Sequence, residues 1–385
     1  MPGPVAKAGA SQSPSQPIIP APPELAARAW VLMDADSGKF IIEHNADERM
    51  APASLTKMMT GYVLSEAIKA GNVKWEDTVR VTPDSWAQNP LFNGSSLMWI
   101  DINTDVSLRD LYYGLVISSG NDASVAIAEH LAGSEQSFAD LMNQQSARLG
   151  LGNTHWVNSH GLPDPQHYTT ARDLALLARA MIVDHPQDYE VYSQTHFMYN
   201  NIRQMNRNEL LGEPGVDGIK TGHTDEAGYC LVSSAKIDGM RLVAVVLGTP
   251  SKSARTEQSR SLLGYGFRFY ETREVLAANT PVTPQPLRVW AGAADSVKAG
   301  VAKPIRITVP RGRAAELQAT AVDIATGLKA PVAAGQTLGR IAVTLAGEQI
   351  HEEPLVALES VDRGGFFRRF WDGLVLFFLQ LFGKA

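Results

Sequence analysis

Apolar positions along this chain follow three different rhythms, and the changes of rhythm mark its parts. Residues 1–24 have no period; Pro, Ser, Ala and Gly dominate, which reads as a disordered leader or linker. Trp30 to His44 places two apolar runs around Asp36-Ser37-Gly38-Lys39, a strand–turn–strand pattern. A helical period runs from Leu55 to Gly71, opening at Ser54. A second runs from Leu108 to Gly133, and Ser118-Ser119-Gly120-Asn121 breaks it into two helices. Three β-branched runs over 216–224, 229–237 and 241–248 predict adjacent strands, the last two joined by an Asp238-Gly239 turn. Residues 253–271 return to the helical period and close a unit assigned to 25–278.

The rhythm changes again at the Pro/Thr-rich residues 279–286. Five short β-branched segments between Gly and Pro turns then predict a β-rich domain over 286–361, with no acid/base cluster. The last segment, 364–385, is helical on a wheel. Arg368, Arg369, Asp372, Gln380 and Lys384 share one side; Phe367, Phe370, Trp371, Leu374, Phe377, Phe378, Leu381 and Phe382 fill the other. Its uncharged run from Gly373 to Gly383 is too short to cross a bilayer. An amphipathic helix in the membrane interface is predicted, aromatics at headgroup depth and basic residues turned to anionic lipid. A helix docked on the protein or on a dimer partner is the alternative. The fold class is therefore α/β (α+β), with a small all-β C-terminal domain and an amphipathic terminal helix.

Composition changes this picture little. Hydrophobic residues make up 44% of the chain, enough for a core, and the net charge of −6 excludes a nucleic-acid surface. A single cysteine, Cys230, excludes an intrachain disulfide. The amino terminus lacks the apolar core of a signal peptide, which fits a cytosolic protein or a mature, trimmed chain; the motifs below favour the second. His155, His160 and His167 lack zinc spacing and are read as structural, so no metal and no cofactor is expected. Asp34 to Gly38 resembles a calcium loop only in part, since Lys39 stands where the glycine is required.

The chemistry lies in three short motifs in order: Ser54-Leu55-Thr56-Lys57, Ser119-Gly120-Asn121 and Lys220-Thr221-Gly222. This order (S-x-x-K, S-x-N, K-T-G) belongs to active-site serine enzymes that acylate themselves. Ser54 also reads as a plain N-cap. Against that, Lys57 in the first turn opposes the helix dipole, whereas a Ser–Lys pair at i and i+3 shares a face. A second S-x-x-K, Ser233 to Lys236, lies in a predicted strand, where i and i+3 point to opposite faces. A serine hydroxyl needs an adjacent base, and Lys57 can serve if its ammonium loses its proton, which burial and a second cation brought near, Lys220, would both favour. Gly94-Ser95-Ser96 reads as a rim of the site or as a plain loop.

These motifs, with ASLTKMMT, NGSSLMWI, SSGNDASVAIAEHLAGS, NTHWVNSHGL, NRNELL, VDGIKTGHT and GFFRRFWD, resemble the low-molecular-mass penicillin-binding proteins of the D-alanyl-D-alanine carboxypeptidase 5/6 type. The resemblance implies a penicillin-binding transpeptidase/β-lactamase-like catalytic domain. It implies Ser54 as nucleophile, Lys57 as base and Ser119 as proton relay. Asn121 would bind the substrate peptide, and the amides of Ser54 and His223 would hold the oxyanion. Lys220, Thr221 and Gly222 would receive the terminal carboxylate, with Arg207 and Arg255 as supporting cations. The implied partners are peptidoglycan stem peptides, β-lactams as covalent inhibitors, and a membrane surface reached through 364–385, with no nucleic acid. The implied location is the periplasmic face of the cytoplasmic membrane. A DD-endopeptidase would use the same residues and stays open. A class A-like β-lactamase fits less well, because no E-x-x-L-N stands between the second and third motifs. A non-enzymatic membrane scaffold would not need the full motif set, and an α/β-hydrolase would need the missing G-x-S-x-G elbow.

Overall fold

The computed structural model describes residues 19–381, with side chains described as far as Val375. The expected leader at 1–24 therefore lies largely outside the described residues. The chain divides into two compact units, one over Pro22–Arg268 and one beginning at Phe269.

In the first unit, in chain order, come β1 (Ala29–Asp34), β2 (Phe40–His44), α1 (Thr56–Lys69), β3 (Thr78–Arg80), β4 (Asp105–Ser107), α2 (Leu108–Tyr113), α3 (Asn121–Ala132), α4 (Glu135–Leu149) and α5 (Ala171–Asp184). Then follow α6 (Pro186–Tyr189), β5 (His196–Tyr199), β6 (Ile202–Met205), β7 (Val216–Thr224), β8 (Gly228–Ile237), β9 (Met240–Thr249) and α7 (Lys252–Phe269). The main sheet is antiparallel, in the order β2-β1-β9-β8-β7, which leaves β7 as an edge strand. Asp238 and Gly239 both take left-handed backbone, as a two-residue hairpin between twisted strands requires.

Period-two alternation sorts the sheet's side chains. Val31, Met33, Val232, Val243 and Val245 join the core formed with the helices. Leu32 and Leu242 point the other way, onto Gly266 of α7, where an added Cβ would lie 2.9 and 2.5 Å from them. α1 is buried all round from Thr56 to Ser65 and runs through the middle of the unit. That is why its sequence mixes Met58, Met59 and Leu64 with small polar Thr60 and Ser65 instead of carrying a polar stripe. Each fully buried Met or Leu there contributes about 1.5–3 kcal/mol of transfer free energy. Ser233 is buried and donates to the Ala244 carbonyl while Lys236 is exposed, so the second S-x-x-K makes no pair.

In the second unit, β10 (Tyr270–Leu276), β11 (Leu287–Trp290), β12 (Ser296–Val297), β13 (Ala299–Gly300), β14 (Ile305–Pro310), β15 (Leu317–Val322), β16 (Leu328–Lys329), β17 (Thr337–Leu345) and β18 (Glu348–Ala357) form small sheets around their own apolar cluster. The sequence placed its start at 286. Pairing begins earlier, because β10 lies against β14 and the Pro/Thr stretch is a loop within the unit, bridged at Pro281 to Gly300.

The terminal helix α8 (Phe366–Leu381) differs from its wheel in one respect. Arg368 ion-pairs with Asp295, and Asp372 accepts the Ala291 N–H at 2.7 Å, with Arg288 at 3.9 Å. Arg368 is thus engaged by the β-rich unit instead of being free for lipid. Phe366, Phe367, Phe370 and Trp371 stand in solvent, each at least 59% exposed. The side chains of Phe377, Phe378, Gln380, Leu381, Phe382 and Lys384 lie outside the described residues. Among the described residues, no helix is long and apolar enough to cross a membrane.

Candidate active site

Ser54 sits in a 3₁₀ turn, Ala53–Leu55, that leads into α1, and its side chain caps no helix amide. The plain N-cap alternative is therefore not what the turn uses it for. The turn is shaped by close approaches. Ala53 has φ +49°, and Gly161 passes so near that a Cβ on it would lie 1.8 Å from the Ala53 carbonyl oxygen. From the other side, Gly222 of β7 lets the edge strand run past, with Pro52 O 3.1 Å from its would-be Cβ.

Lys57, one turn on, is 1% exposed. Its Nζ lies 3.2 Å from Ser54 Oγ, 2.6 Å from Asn121 Oδ1 and 2.7 Å from the His160 carbonyl. Burial pulls its pKa down to about 7; Asp122 and Glu135 oppose this and Arg207 adds to it. Near neutral pH, then, a large fraction of Lys57 is the free amine. A neutral amine has two hydrogens and one lone pair. Asn121 Oδ1 and the His160 carbonyl have no proton to give, so they take the two hydrogens and the lone pair is left facing the Ser54 hydroxyl.

Ser119 follows a π-helical turn, Gly114–Ser118, and takes left-handed backbone at φ +63°. Such strain persists only where the surroundings enforce it. It brings Ser119 Oγ to 2.9 Å from Lys220 Nζ, which also reaches the Thr221 carbonyl at 3.1 Å. Burial, and then the charges of Lys57, Arg207 and Arg255, press the pKa of Lys220 well below the ordinary lysine value.

Asp122, next to Asn121, anchors the opposite rim. Its buried carboxylate accepts the amides of Met98, Trp99 and Ile100 at 2.8, 2.8 and 3.2 Å. The Asn121 amide bonds back to the Ser96 carbonyl at 2.8 Å. Gly94, Ser95 and Ser96 are thereby held as a wall of the cavity.

These residues enclose a cavity of about 640 Å³. Ser54, Ser119, Asn121, Thr221, Gly222, His223, Arg207 and Arg255 all line it, and Lys57 and Lys220 lie beneath through their bonds to Ser54 and Ser119. Arg255 is 5% exposed and reaches the Gly222 carbonyl at 3.4 Å, while Arg207 is a solvent-exposed rim residue. His223 is exposed and packs its ring on Tyr229 at 4.0 Å. No Asp or Glu lines the cavity among the described residues. Among them, too, no cluster of His, Cys, Asp or Glu is arranged to hold a metal. His167 is built into the fold. Its Nδ1 accepts the Val157 N–H, its Nε2 donates to Thr56 Oγ1, and burial drives its pKa down to about 3.

The sequence reading gave no role to Asp122, Glu135 or the His160 carbonyl. An acid one residue after S-x-N was visible; a backbone carbonyl leaves no trace in residue type.

The model of the D-alanyl-D-alanine carboxypeptidase family matches residues 15–251, and that of the penicillin-binding protein 5 C-terminal domain matches 270–363. The chain belongs to the D-alanyl-D-alanine carboxypeptidase family. It is 45% identical over 365 residues to D-alanyl-D-alanine carboxypeptidase DacC of Escherichia coli K12, covering 94% of this chain and 91% of that one. Penicillin-binding protein 5 of Haemophilus influenzae superposes with a TM-score of 0.82 at 41% identity, over 89% of this chain and 99% of that one. Penicillin-binding protein D2 of Listeria monocytogenes, solved in an ampicillin-bound form, covers 64% of this chain and all of its own, with TM-score 0.57 and 30% identity.

Proposed function

We propose that the protein removes the terminal D-alanine from peptidoglycan stem peptides ending in D-Ala-D-Ala, through an ester on Ser54. The observation that carries this reading is the direction of the Lys57 lone pair at Ser54, with an acid-free, cation-rich chamber beside it. Ser54 Oγ attacks the carbonyl between the two D-alanines and its proton passes to Lys57. The oxyanion falls to the amides of Ser54 and His223. When the C–N bond breaks, the proton that Lys57 took is returned through Ser119, hydrogen-bonded to Lys220, to the departing amine, which leaves Lys57 again the free amine and Ser119 again a hydroxyl. The carboxylate of that D-alanine is met by Lys220, Thr221 and Arg255, with Arg207 at the rim. Asn121 takes the substrate amide as well as Lys57. Water then cleaves the ester with Lys57 again as base, since the cavity lining offers no carboxylate. A β-lactam enters by the same attack, its ring C–N bond opening to leave a stable ester.

We place this activity at the periplasmic face of the cytoplasmic membrane, where its polymer substrate lies, with the exposed Phe366, Phe367, Phe370 and Trp371 of α8 entering the lipid interface. The decisive assay measures D-alanine release from a D-Ala-D-Ala pentapeptide against cleavage of crosslinked dimers. Release by the wild type and not by Ser54→Ala is expected; crosslink cleavage without release would replace the carboxypeptidase reading with an endopeptidase one.

A further inference from the structure

The direction of the Lys57 lone pair depends on two acceptors, and only one of them, Asn121, belongs to a motif. The other is the carbonyl of His160, in a loop between α4 and α5. What fixes that carbonyl is Glu135, the first residue of α4. Glu135 Oε1 accepts the Ser159 N–H at 3.1 Å and the Ser159 hydroxyl at 2.8 Å, and lies 3.1 Å from His160 Nε2. His160 Nδ1 accepts the Leu162 N–H, so it is Nε2 that donates to the carboxylate. On the inner side of the same loop, the Ser159 carbonyl takes hydroxyls from both Thr60 and Ser124 at 2.6 Å, and the His160 carbonyl takes Lys57 at 2.7 Å. One carboxylate oxygen therefore holds two successive residues from outside while α1 and α3 hold them from inside.

We propose that Glu135 is a positioning residue for the base: through Ser159 and His160 it fixes the carbonyl that directs the Lys57 lone pair at Ser54. This rests on the reading of Lys57 as base. Two further facts agree with it. Burial pushes the Glu135 carboxyl up, but the bonds from His160 and Ser159 outweigh it and hold the pKa down at about 2, so the group stays an acceptor at any working pH. Its charge also reaches Lys57, favouring the protonated form. Lys57 meets Ser54, Asn121 of α3 and the His160 carbonyl by hydrogen bond, feels the charges of Asp122 from α3, Glu135 from α4 and Arg207, and acts in turn on Lys220. Those facing Glu135 are Ser159 and His160, with Asp140, His155 and Asp164 along the adjoining groove.

The test compares Glu135→Ala, Glu135→Gln and Glu135→Asp with the wild type and Lys57→Ala. The readouts are the second-order rate of benzylpenicillin acylation from pH 5 to 9, kcat and KM for D-alanine release, and the melting temperature. Glu135→Ala is expected to lose acylation and kcat roughly 10- to 100-fold, with KM within about twofold. Glu135→Gln keeps an acceptor oxygen and loses the charge. It is expected to keep most of the acylation rate at high pH while its acidic limb moves to lower pH. A loss of rate equal in Ala and Gln, with the limb unmoved and KM rising as kcat falls, would mean that Glu135 supports the pocket as a whole without directing Lys57, and would overturn the proposal. So would wild-type rates in Glu135→Ala. If Glu135→Ala does not fold, the Gln and Asp variants decide by the same limb. Rapid acylation by Lys57→Ala would instead refute the base assignment itself, whatever the Glu135 variants do.

Discussion

Gly161 offers the sharpest test of how the nucleophile is held. Its φ is +91°, and a Cβ there would lie 1.8 Å from the Ala53 carbonyl oxygen and 2.8 Å from Thr56 Oγ1. A carbon and a carbonyl oxygen rest at about 3.3 Å, so in Gly161→Ala the two backbones must part by roughly 1.5 Å. The left-handed conformation itself costs about 1–2 kcal/mol with a Cβ present, and the overlap adds about 1–3 kcal/mol. The displaced residue is the immediate neighbour of Ser54. A misplacement of about 1 Å at a reacting group costs on the order of a hundredfold in rate. Gly161→Ala should therefore acylate with benzylpenicillin about a hundredfold more slowly and unfold about 2–5 kcal/mol more easily. Gly150→Ala is the control: its φ is +72° but nothing lies within 4 Å, so it meets the strain without the overlap. It should lose about 1 kcal/mol of stability and no acylation rate. If Gly161→Ala acylates within about twofold of the wild type, the contact with Ala53 does not set the nucleophile's position.

Lys57→Arg should fail to form a penicillin adduct, since arginine does not give up its proton in a protein; rapid labelling would mean another group takes the serine proton. A peptide amidated at its C-terminus should lose roughly 10- to 100-fold in kcat/KM, measured against the free acid, because the bonds it forfeits are to charged donors. Folding stability should rise with pH from about 7 toward 10.5 through Lys57, because the unfolded chain holds a proton there that the folded chain does not. In urea titrations the wild type should therefore gain on Lys57→Met by about 2–3 kcal/mol between pH 7 and 9; a difference independent of pH would contradict the lowered pKa. Deleting residues 364–385, or changing Phe367 and Phe370 to Asp, should release the protein from lipid vesicles with peptide hydrolysis intact; sedimentation of either variant with the vesicles would exclude α8 as the anchor.

Much of the fold was legible because local signals agreed. The Asp238-Gly239 turn, the β-branched runs beside it and the break at Ser118 to Asn121 each follow from backbone preferences that tertiary contacts did not override. The sequence-stretch over 279–286 misled, since Pro and Thr mark a loop equally well inside a unit and between units. Only the pairing of β10 with β14, a contact between distant residues, shows which it is. α8 misled in a second way. A wheel separates polar from apolar faces but cannot say what the polar face meets, and here Arg368 and Asp372 meet Asp295 and the Ala291 amide. In the site, the side chains named by the motifs lie around one cavity. What stayed hidden was the main chain: the His160 carbonyl, the three amides on Asp122, and the backbone approach at Gly161.

The site also shows how one residue type takes two parts. Lys57 and Lys220 are both buried, at 1% and 3% exposure, and burial lowers the pKa of both. Their neighbours separate them. Lys57 has Asp122 and Glu135 near enough to favour its proton, which holds its pKa near 7, the range the base proposed above needs. Every charged group acting on Lys220 is a cation. Those charges oppose its protonation, and the lining of the cavity contributes no carboxylate to offset them. The substrate carboxylate proposed to bind there would supply that negative charge and favour the charged form of Lys220. In the proposed mechanism, substrate binding would then favour a proton on Lys220, beside the Ser119 hydroxyl proposed to pass one to the leaving amine. A neutral C-terminus would bring no such charge, so in this mechanism selectivity for a free carboxylate and readiness of the leaving-group proton would come from the same cluster of basic groups.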